Sequence, residues 1–504
     1  MAGTVALAHG HRVNVFDDHV KGKGLKADFD ADAGETVFAE LPTTFVVARK
    51  QRETTCAGCL GPDPSCNDTQ GVQSSLGLRK CSRCQFVYYC GVSCQKKDWL
   101  NHKQECKNII RVQPKRPPDL CLLAARFLQY MGRSFKKTVC DAGKTEANSR
   151  DQRIQKFQDF FMNNSSNISE KRKEMLFTFS VVLKQFIDAT TLQTLGISPN
   201  ELIGILCWLT CNCFNILNSD MNSIGVGIYD LASLINHDCT PNCVAVFEGA
   251  KVLIRSIKTI SKNDEVTISY IESLETRDNR IKELKERYFF QCTCYTCSKE
   301  SEFDGLIIGK CQNKQCCSTV FINKCDAVCH KCGFSGFVGD YYNILKQQHE
   351  SLYSKLAIYD ASETEEDFDV LHQKVKTATI FIPNESIDMI KCLEAVFDRH
   401  IKVQNWELAI ESGRLLLHGY QSCYPMYHPV TGIHLFKLGK IEILTDNLQC
   451  GLEHLERSSK ILMVTHGKEH SLTTTLLETI VKLKEEMSNV RSQSALKELS
   501  AADS

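Results

Sequence analysis

Three sets of residues in this chain have the types and spacing to do chemistry: paired thiols, an amide beside an imidazole, and tyrosines near a strand end. Cys56-x2-Cys59, Cys81-x2-Cys84, Cys90-x3-Cys94 and His102-x3-Cys106 offer eight zinc ligands within 51 residues, enough for two tetrahedral sites. Four protein ligands per ion leave no open position, so both sites are structural. Cys292-x-Cys294-x2-Cys297 supplies three thiols, and a closed site needs a fourth; Cys239 is the candidate. Cys311-x4-Cys316 with Cys329-x2-Cys332 reads as a small zinc ribbon, for which Cys317 and Cys325 are alternative ligands. The remaining chemistry lies in LINHDCTPNC, residues 234–243, where Asn236, His237 and Cys239 fall within four positions, and in EVTISY, residues 265–270, which ends on Tyr270.

Composition limits what these groups can serve. The 504 residues carry no net charge, with a pI near 7.1, 43% hydrophobic and 24% charged residues. That describes an ordinary globular chain of several domains, with no global field to draw nucleic acid or an anionic membrane. No secretory leader is read at the start of the sequence, so its 27 cysteines point to zinc and free thiols over disulfides. Residues 202–219 carry no charge, but Thr210, Asn212, Asn215 and Asn218 and the lack of basic flanks make a buried helix the expectation, not a membrane span. Residues 79–118 hold ten Lys or Arg against Asp98 and Glu105. Phe86, Tyr88 and Tyr89 stand between zinc ligands there and are expected to form the finger's own core, which argues against direct DNA binding.

Period-two apolar residues predict short strands over residues 12–47, with Lys21-Gly22-Lys23-Gly24-Leu25 as a turn. Helices are predicted over 120–131 and 170–187, with the polar stretch 136–167 partly loop, and a continuous helix over 202–217. Strands return at 244–247, 252–257 and 266–270, and a charged helix at 272–287. From residue 341 apolar positions recur at three and four through seven segments, with a weak repeat at offset 42, so stacked helix pairs of tetratricopeptide type are expected. Six acids in residues 360–369 read as a solvated loop or helix start.

Taken together, the Lys-Gly-Lys-Gly-Leu stretch, the eight-ligand finger, Asn236-His237-x-Cys239-x-Pro241-Asn242, Glu265-Val266-Thr267-Ile268-x-Tyr270 and Cys292-x-Cys294-x2-Cys297 resemble the SET and MYND domain lysine methyltransferases. Met463 to His470 also resembles that family's C-terminal domain, so the likeness covers nearly the whole chain. It implies an α+β fold: a split, β-rich SET domain (1–50 and 221–271), a MYND zinc finger (51–110), a helical SET insert (111–220), a post-SET zinc site (272–300), a zinc ribbon (301–338) and a tetratricopeptide-like helical domain (339–504) forming one wall of the substrate cleft. By the same resemblance the finger pairs interleave, with Cys56, Cys59, Cys90 and Cys94 on one zinc and Cys81, Cys84, His102 and Cys106 on the other. Cys66 is left over.

The resemblance further implies an S-adenosylmethionine-dependent protein lysine methyltransferase. Lys21, Gly22, Lys23 and Gly24 would lie along the cofactor, Asn212 at its amino-acid end, Asn236 and His237 on its adenine and amino-acid portions through main chain and side chain, and Phe290 against its adenine. Asn164 is a further candidate contact on a weaker motif. Tyr270 corresponds to the tyrosine at the transfer centre and Tyr288 to an aromatic lining the lysine channel, while Cys239, Cys292, Cys294 and Cys297 fit the post-SET zinc. Three zinc ions are implied, and a fourth if the ribbon binds one. Asp238 departs from the serine common in the family, and its role is open at this stage. Expected partners are a lysine-bearing protein and Pro-rich peptides at the finger, with the chain a monomer in cytosol and nucleus. The competing class is an interaction scaffold built on the finger and the helical repeats, from which the presence of Asn236, His237 and Tyr270 argues away.

Overall fold

A computed structural model describes residues 12–18, 21–61, 77–141, 147–187, 189–298, 306–316, 318–322, 328–335 and 340–502. Cys66, Cys317 and Cys325 lie outside the described residues. The chain divides into two compact units, Met1–Ile271 with Asp278–Thr293, and Glu272–Arg277 with Cys294–Ser504.

In the first unit, strands from the two ends of the sequence interleave. Thr36–Glu40 pairs antiparallel with Lys251–Ser256, which pairs with Cys243–Glu248. Thr44–Val47 pairs with Ser223–Ile228, which pairs with Cys213–Leu217. The finger and the helices between residues 50 and 212 are therefore an insertion into one β-structure. Val13–Asp18 and Gly22–Ala27 form a hairpin in register Asp18↔Gly22 to Val13↔Ala27. The Gly-x-Gly pair thus lies in a strand, where a turn was expected. Gly22 sits at φ +81, and nothing stands within 4 Å of where its Cβ would be; a Cβ on Gly24 would meet Asn236 Nδ2 and the Phe16 ring, each at 2.6 Å. Asn236–His237 runs parallel to Thr267–Ile268, which joins the two chemistry-bearing stretches side by side.

Two helical expectations need correction, and a third stretch is more helical than its polarity suggests. The apolar run is a helix only over Pro199–Asn212, started by a capping box in which Ser198 and Glu201 bond reciprocally. Cys213–Leu217 leaves it as a strand, because its Cys-Phe-Asn-Ile alternation finds a partner in Ser223–Ile228 and sheet pairing overrides helical continuation. The described part of the polar 136–167 stretch is mostly helix, in Asp119–Asp141 and Ala147–Asn164, with a turn at residues 165–167. Phe157, Phe160 and Phe161, on one face of the latter, pack on the core, while Gly204 lies close enough that its Cβ would meet the Phe157 carbonyl at 2.8 Å. The charged helix starts late, at Arg277, because Glu272 accepts the Leu274 N–H in a turn of its own. Among the described residues no helix is long and apolar enough to cross a membrane.

The second unit carries seven helices among the described residues from 341 onward, from Tyr341–Ser362 to Ser471–Ala502. Successive helices pack as pairs with glycines at the close approaches: Gly413 lies under Phe397 and Leu438, and Gly439 faces Gly451. Glu394 is enclosed here and accepts the Tyr420 hydroxyl at 2.5 Å. Burial, reinforced by Glu272 and Asp398 and opposed by the Tyr420 bond, pushes its carboxyl up to about 7. The folded state then holds this proton to higher pH than the unfolded chain. Its stabilising contribution is complete below the ordinary carboxylate range near 4.5 and is lost as pH rises through 7. Glu394→Gln should remove that component, so its stability should fall less than wild type's between pH 5 and 8, by on the order of 3 kcal/mol in urea titrations.

Candidate functional site

Among the described residues four groups of zinc-type ligands are preassembled. They are Cys56, Cys59, Cys90 and Cys94; Cys81, Cys84, His102 and Cys106; Cys239, Cys292, Cys294 and Cys297; and Cys311, Cys316, Cys329 and Cys332, each with its ligand atoms within 4.8 Å of one another. Zinc–thiolate bonds of about 2.3 Å at tetrahedral angles place sulfurs about 3.8 Å apart. Observed separations are 3.7 Å for Cys59–Cys90, 4.0 Å for Cys81–Cys106 and 3.7 Å for both Cys311–Cys332 and Cys316–Cys329. A disulfide would bring the atoms to about 2 Å, so the donor sets fit zinc. Metal analysis of the pure protein should find about four zinc ions per chain; three would remove the ribbon from the count.

The second finger site is braced from outside. His102 faces Cys84 Sγ with Nε2 at 3.5 Å and bonds Glu105 through Nδ1 at 2.8 Å, the arrangement that fixes a metal-binding imidazole. Glu105 accepts from Arg126 at 2.8 and 2.6 Å, and Arg126 also reaches Asp98 at 3.0 Å and the Phe45 carbonyl at 3.0 Å. Asp98 accepts the Tyr89 hydroxyl at 2.8 Å. Phe86, Tyr88 and Tyr89 are buried within the finger.

At the Asn236–His237 strand a polar set and an aromatic set meet. Glu265 accepts from Asn236 Nδ2 at 2.8 Å with one oxygen and from Lys21 Nζ at 2.7 Å with the other, beside the bare backbone of Gly22 and Gly24. His237 Nδ1 accepts the Tyr270 N–H at 3.0 Å, and Nε2 lies 3.3 Å from Cys239 Sγ. Only the neutral ring with its hydrogen on Nε2 satisfies both. The His237 side chain, expected on a cofactor, is thereby engaged between a thiol of the third zinc group and the Tyr270 N–H.

The Tyr270 hydroxyl donates to the Ile235 carbonyl, and the Tyr288 hydroxyl donates to the Tyr270 carbonyl at 3.1 Å. Ring centroids lie 4.9 Å apart for Tyr270–Tyr288, 5.4 Å for Tyr270–His237, 6.3 Å for Tyr270–Phe290 and 6.0 Å for His237–Phe290. Burial first, then Tyr288 and Glu265, push the Tyr270 phenol well above its ordinary value; burial also raises Tyr288, opposed by Arg287. Both hydroxyls stay protonated at neutral pH and serve as hydrogen-bonding groups, not bases.

Asn212 and Asn164 do not join this cluster through any described bond. Asn212 Nδ2 donates to the Trp208 carbonyl and Asn164 Nδ2 to the Phe160 carbonyl, each at its own helix end. Asp238 finds its place in a local turn, where Oδ1 accepts from the Thr240 N–H at 2.8 Å and hydroxyl at 3.2 Å. Sequence reasoning missed the Arg126 network and the Glu265 link to Asn236. A lone arginine inside the apolar 120–131 run was the available signal for the first; nothing local pointed to the second.

Residues 22–271 match the SET domain family. The chain is 27% identical over 482 residues to human "Histone-lysine N-methyltransferase SMYD3", covering 95% of this chain and 99% of that protein. It is 27% identical over 460 residues to Arabidopsis thaliana "Histone-lysine N-methyltransferase ASHR1", covering 89% and 90%, and 24% identical over 463 residues to human "N-lysine methyltransferase SMYD2", covering 91% and 96%. The β-structure with its inserted finger is a SET domain. The chain belongs to the SET and MYND protein lysine methyltransferases.

Proposed function

We propose that this chain transfers a methyl group from S-adenosylmethionine to the side-chain amine of a lysine in a protein. The observation that carries this reading is the meeting of Tyr270, Tyr288, His237 and Phe290 with the polar set Asn236, Glu265 and Lys21 at one strand pair. When bound, S-adenosylmethionine supplies an electrophilic sulfonium methyl. Presenting a neutral amine at pH 7.4 costs about 4 kcal/mol from an ordinary lysine pKa near 10.4. Exclusion of water from an enclosed site lowers that cost by disfavouring the ammonium form, and ring faces turned towards the sulfonium favour the cationic donor. Direct displacement demands alignment more than a covalent nucleophile, and the rings of Tyr270 and Tyr288, tied by the 3.1 Å hydroxyl-to-carbonyl bond, provide a fixed frame. On this reading Lys21 to Gly24, Asn236, the His237 main chain and Phe290 hold the cofactor; Asn212 and Asn164 remain contacts proposed from resemblance.

The finger's Pro-rich peptide partner belongs to the same proposal and is supported by Val92, Trp99 and Leu100, exposed on the Val92–Val112 helix. Calorimetry with S-adenosylmethionine, followed by labelled methyl transfer to a histone mixture and a cell lysate, tests the activity. One-to-one binding and transfer into protein are expected. Absence of binding would refute the reading and leave an interaction scaffold.

A further inference from the structure

We propose that Arg172 is the positioning residue that holds Tyr288 and Phe290 in the aromatic wall and so sets the rate of methyl transfer. The inference rests on the reading of Tyr270 and Tyr288 as the transfer centre. The Arg277–Tyr288 helix, like every α-helix, leaves its last carbonyls without partners inside the helix. Arg172, in the first turn of the Glu170–Phe186 helix, fills two of them: Nη1 donates to the Glu286 carbonyl at 2.5 Å and to the Arg287 carbonyl at 3.1 Å. Its Nη2 donates to Thr210 Oγ1 at 2.6 Å, and its guanidinium lies over the Phe289 ring, 4.5 Å from the centroid. Cys211, next to Thr210, adds a thiol bond of 3.3 Å to the same Arg287 carbonyl. One cation therefore ties the start of one helix to the ends of two others, and at a helix C-terminus a positive charge also suits the helix dipole.

The chain reverses where this cation sits. Phe289 adopts φ +65, a left-handed conformation that a phenylalanine takes only when its surroundings impose it. Phe289 is buried and meets Phe160 at 6.3 Å. Because of the reversal, the residues on either side of it, Tyr288 and Phe290, both reach Tyr270, at 4.9 and 6.3 Å between centroids. Loss of Arg172 would remove the two carbonyl bonds and the ring contact that hold the reversal closed. Both flanking rings would then gain freedom, and a displacement that depends on alignment would slow. Lysine offers a point charge on a flexible stem, so it can bond one carbonyl but cannot span two while stacking on Phe289.

The test uses the full-length protein as wild type, Arg172→Ala and Arg172→Lys, with two independent readouts. Hydrogen–deuterium exchange over residues 285–291 should quicken about tenfold in Arg172→Ala, the scale expected for two lost hydrogen bonds, with Arg172→Lys intermediate and the finger unchanged. With S-adenosylmethionine and the histone mixture, kcat should fall about tenfold, the KM for S-adenosylmethionine should rise by a smaller factor of about two to five through the freed Phe290 ring, and Arg172→Lys should partly restore both. Unchanged exchange at 285–291 in Arg172→Ala would overturn the proposal, as would faster exchange with kcat intact. If the wild type transfers no methyl group, the methyltransferase reading fails, and the exchange readout alone then judges whether Arg172 holds Tyr288 and Phe290.

Discussion

Replacing Tyr270 by phenylalanine should lower kcat for methyl transfer by about 100- to 1,000-fold, the scale seen when one preorganised polar group is removed from a transfer centre, while S-adenosylmethionine affinity changes by less than about threefold. The ring, and with it the packing on Tyr288, His237 and Phe290, survives the substitution. What is lost is a hydroxyl that burial keeps protonated and that donates to the Ile235 carbonyl. Ile235 immediately precedes Asn236, so that bond fixes the Asn236–His237 strand, which we propose faces the cofactor, against the aromatic wall. Its removal leaves a carbonyl unpaired in an enclosed place and slackens the alignment on which displacement depends. Calorimetry and steady-state kinetics on the variant separate the two effects. A kcat within threefold of wild type would take Tyr270 out of the transfer centre.

Arg126→Met should destabilise the first unit by about 3–5 kcal/mol, the usual result when one partner of a buried ion network is removed and the other is stranded. The Arg126 side chain is 3% exposed, and those of Asp98 and Glu105 are 2% exposed. Burial alone would raise the Glu105 carboxyl, yet Arg126 and His102 hold it below the usual carboxylate range. Without the guanidinium, Asp98 and Glu105 face each other in the interior, and His102 loses a firmly held partner. Adding Asp98→Asn and Glu105→Gln to Arg126→Met removes the stranded charges and should recover most of the loss, since the desolvation of ions disappears with them. Urea unfolding of the single and triple variants measures both quantities. Equal destabilisation in the two would show that packing, not charge, governs this junction between the finger and the Asp119–Asp141 helix.

Much of the fold could be read from local pattern, and the failures have a common cause. Paired cysteines at short spacing announce metal because few other arrangements need thiols two residues apart, and counting three in Cys292-x-Cys294-x2-Cys297 directed attention to Cys239. The interleaving of the finger pairs was beyond spacing and came from family resemblance. The helix that the pattern predicts over 202–217 runs too long because nothing in Cys213–Leu217 by itself reveals that Ser223–Ile228 pairs with it. The same holds at the site. The reach of Tyr288 and Phe290 to one tyrosine depends on a left-handed Phe289, and the engagement of both His237 nitrogens depends on Tyr270 and Cys239 arriving from different directions. Asp238 reversed the pattern: a substitution that looked like a charge in the cofactor pocket is satisfied by its own turn at Thr240.

The acceptor of the methyl group should be a lysine amine. Complete hydrolysis of the protein labelled with methyl-tritiated S-adenosylmethionine, followed by amino-acid separation, tests it most directly. The label should travel with methylated lysine and fall by about 100- to 1,000-fold when Tyr270→Phe replaces the wild-type enzyme. Label recovered in methylated arginine or histidine, or released as volatile methanol from a carboxyl ester, with S-adenosylmethionine bound normally, would exclude a lysine acceptor.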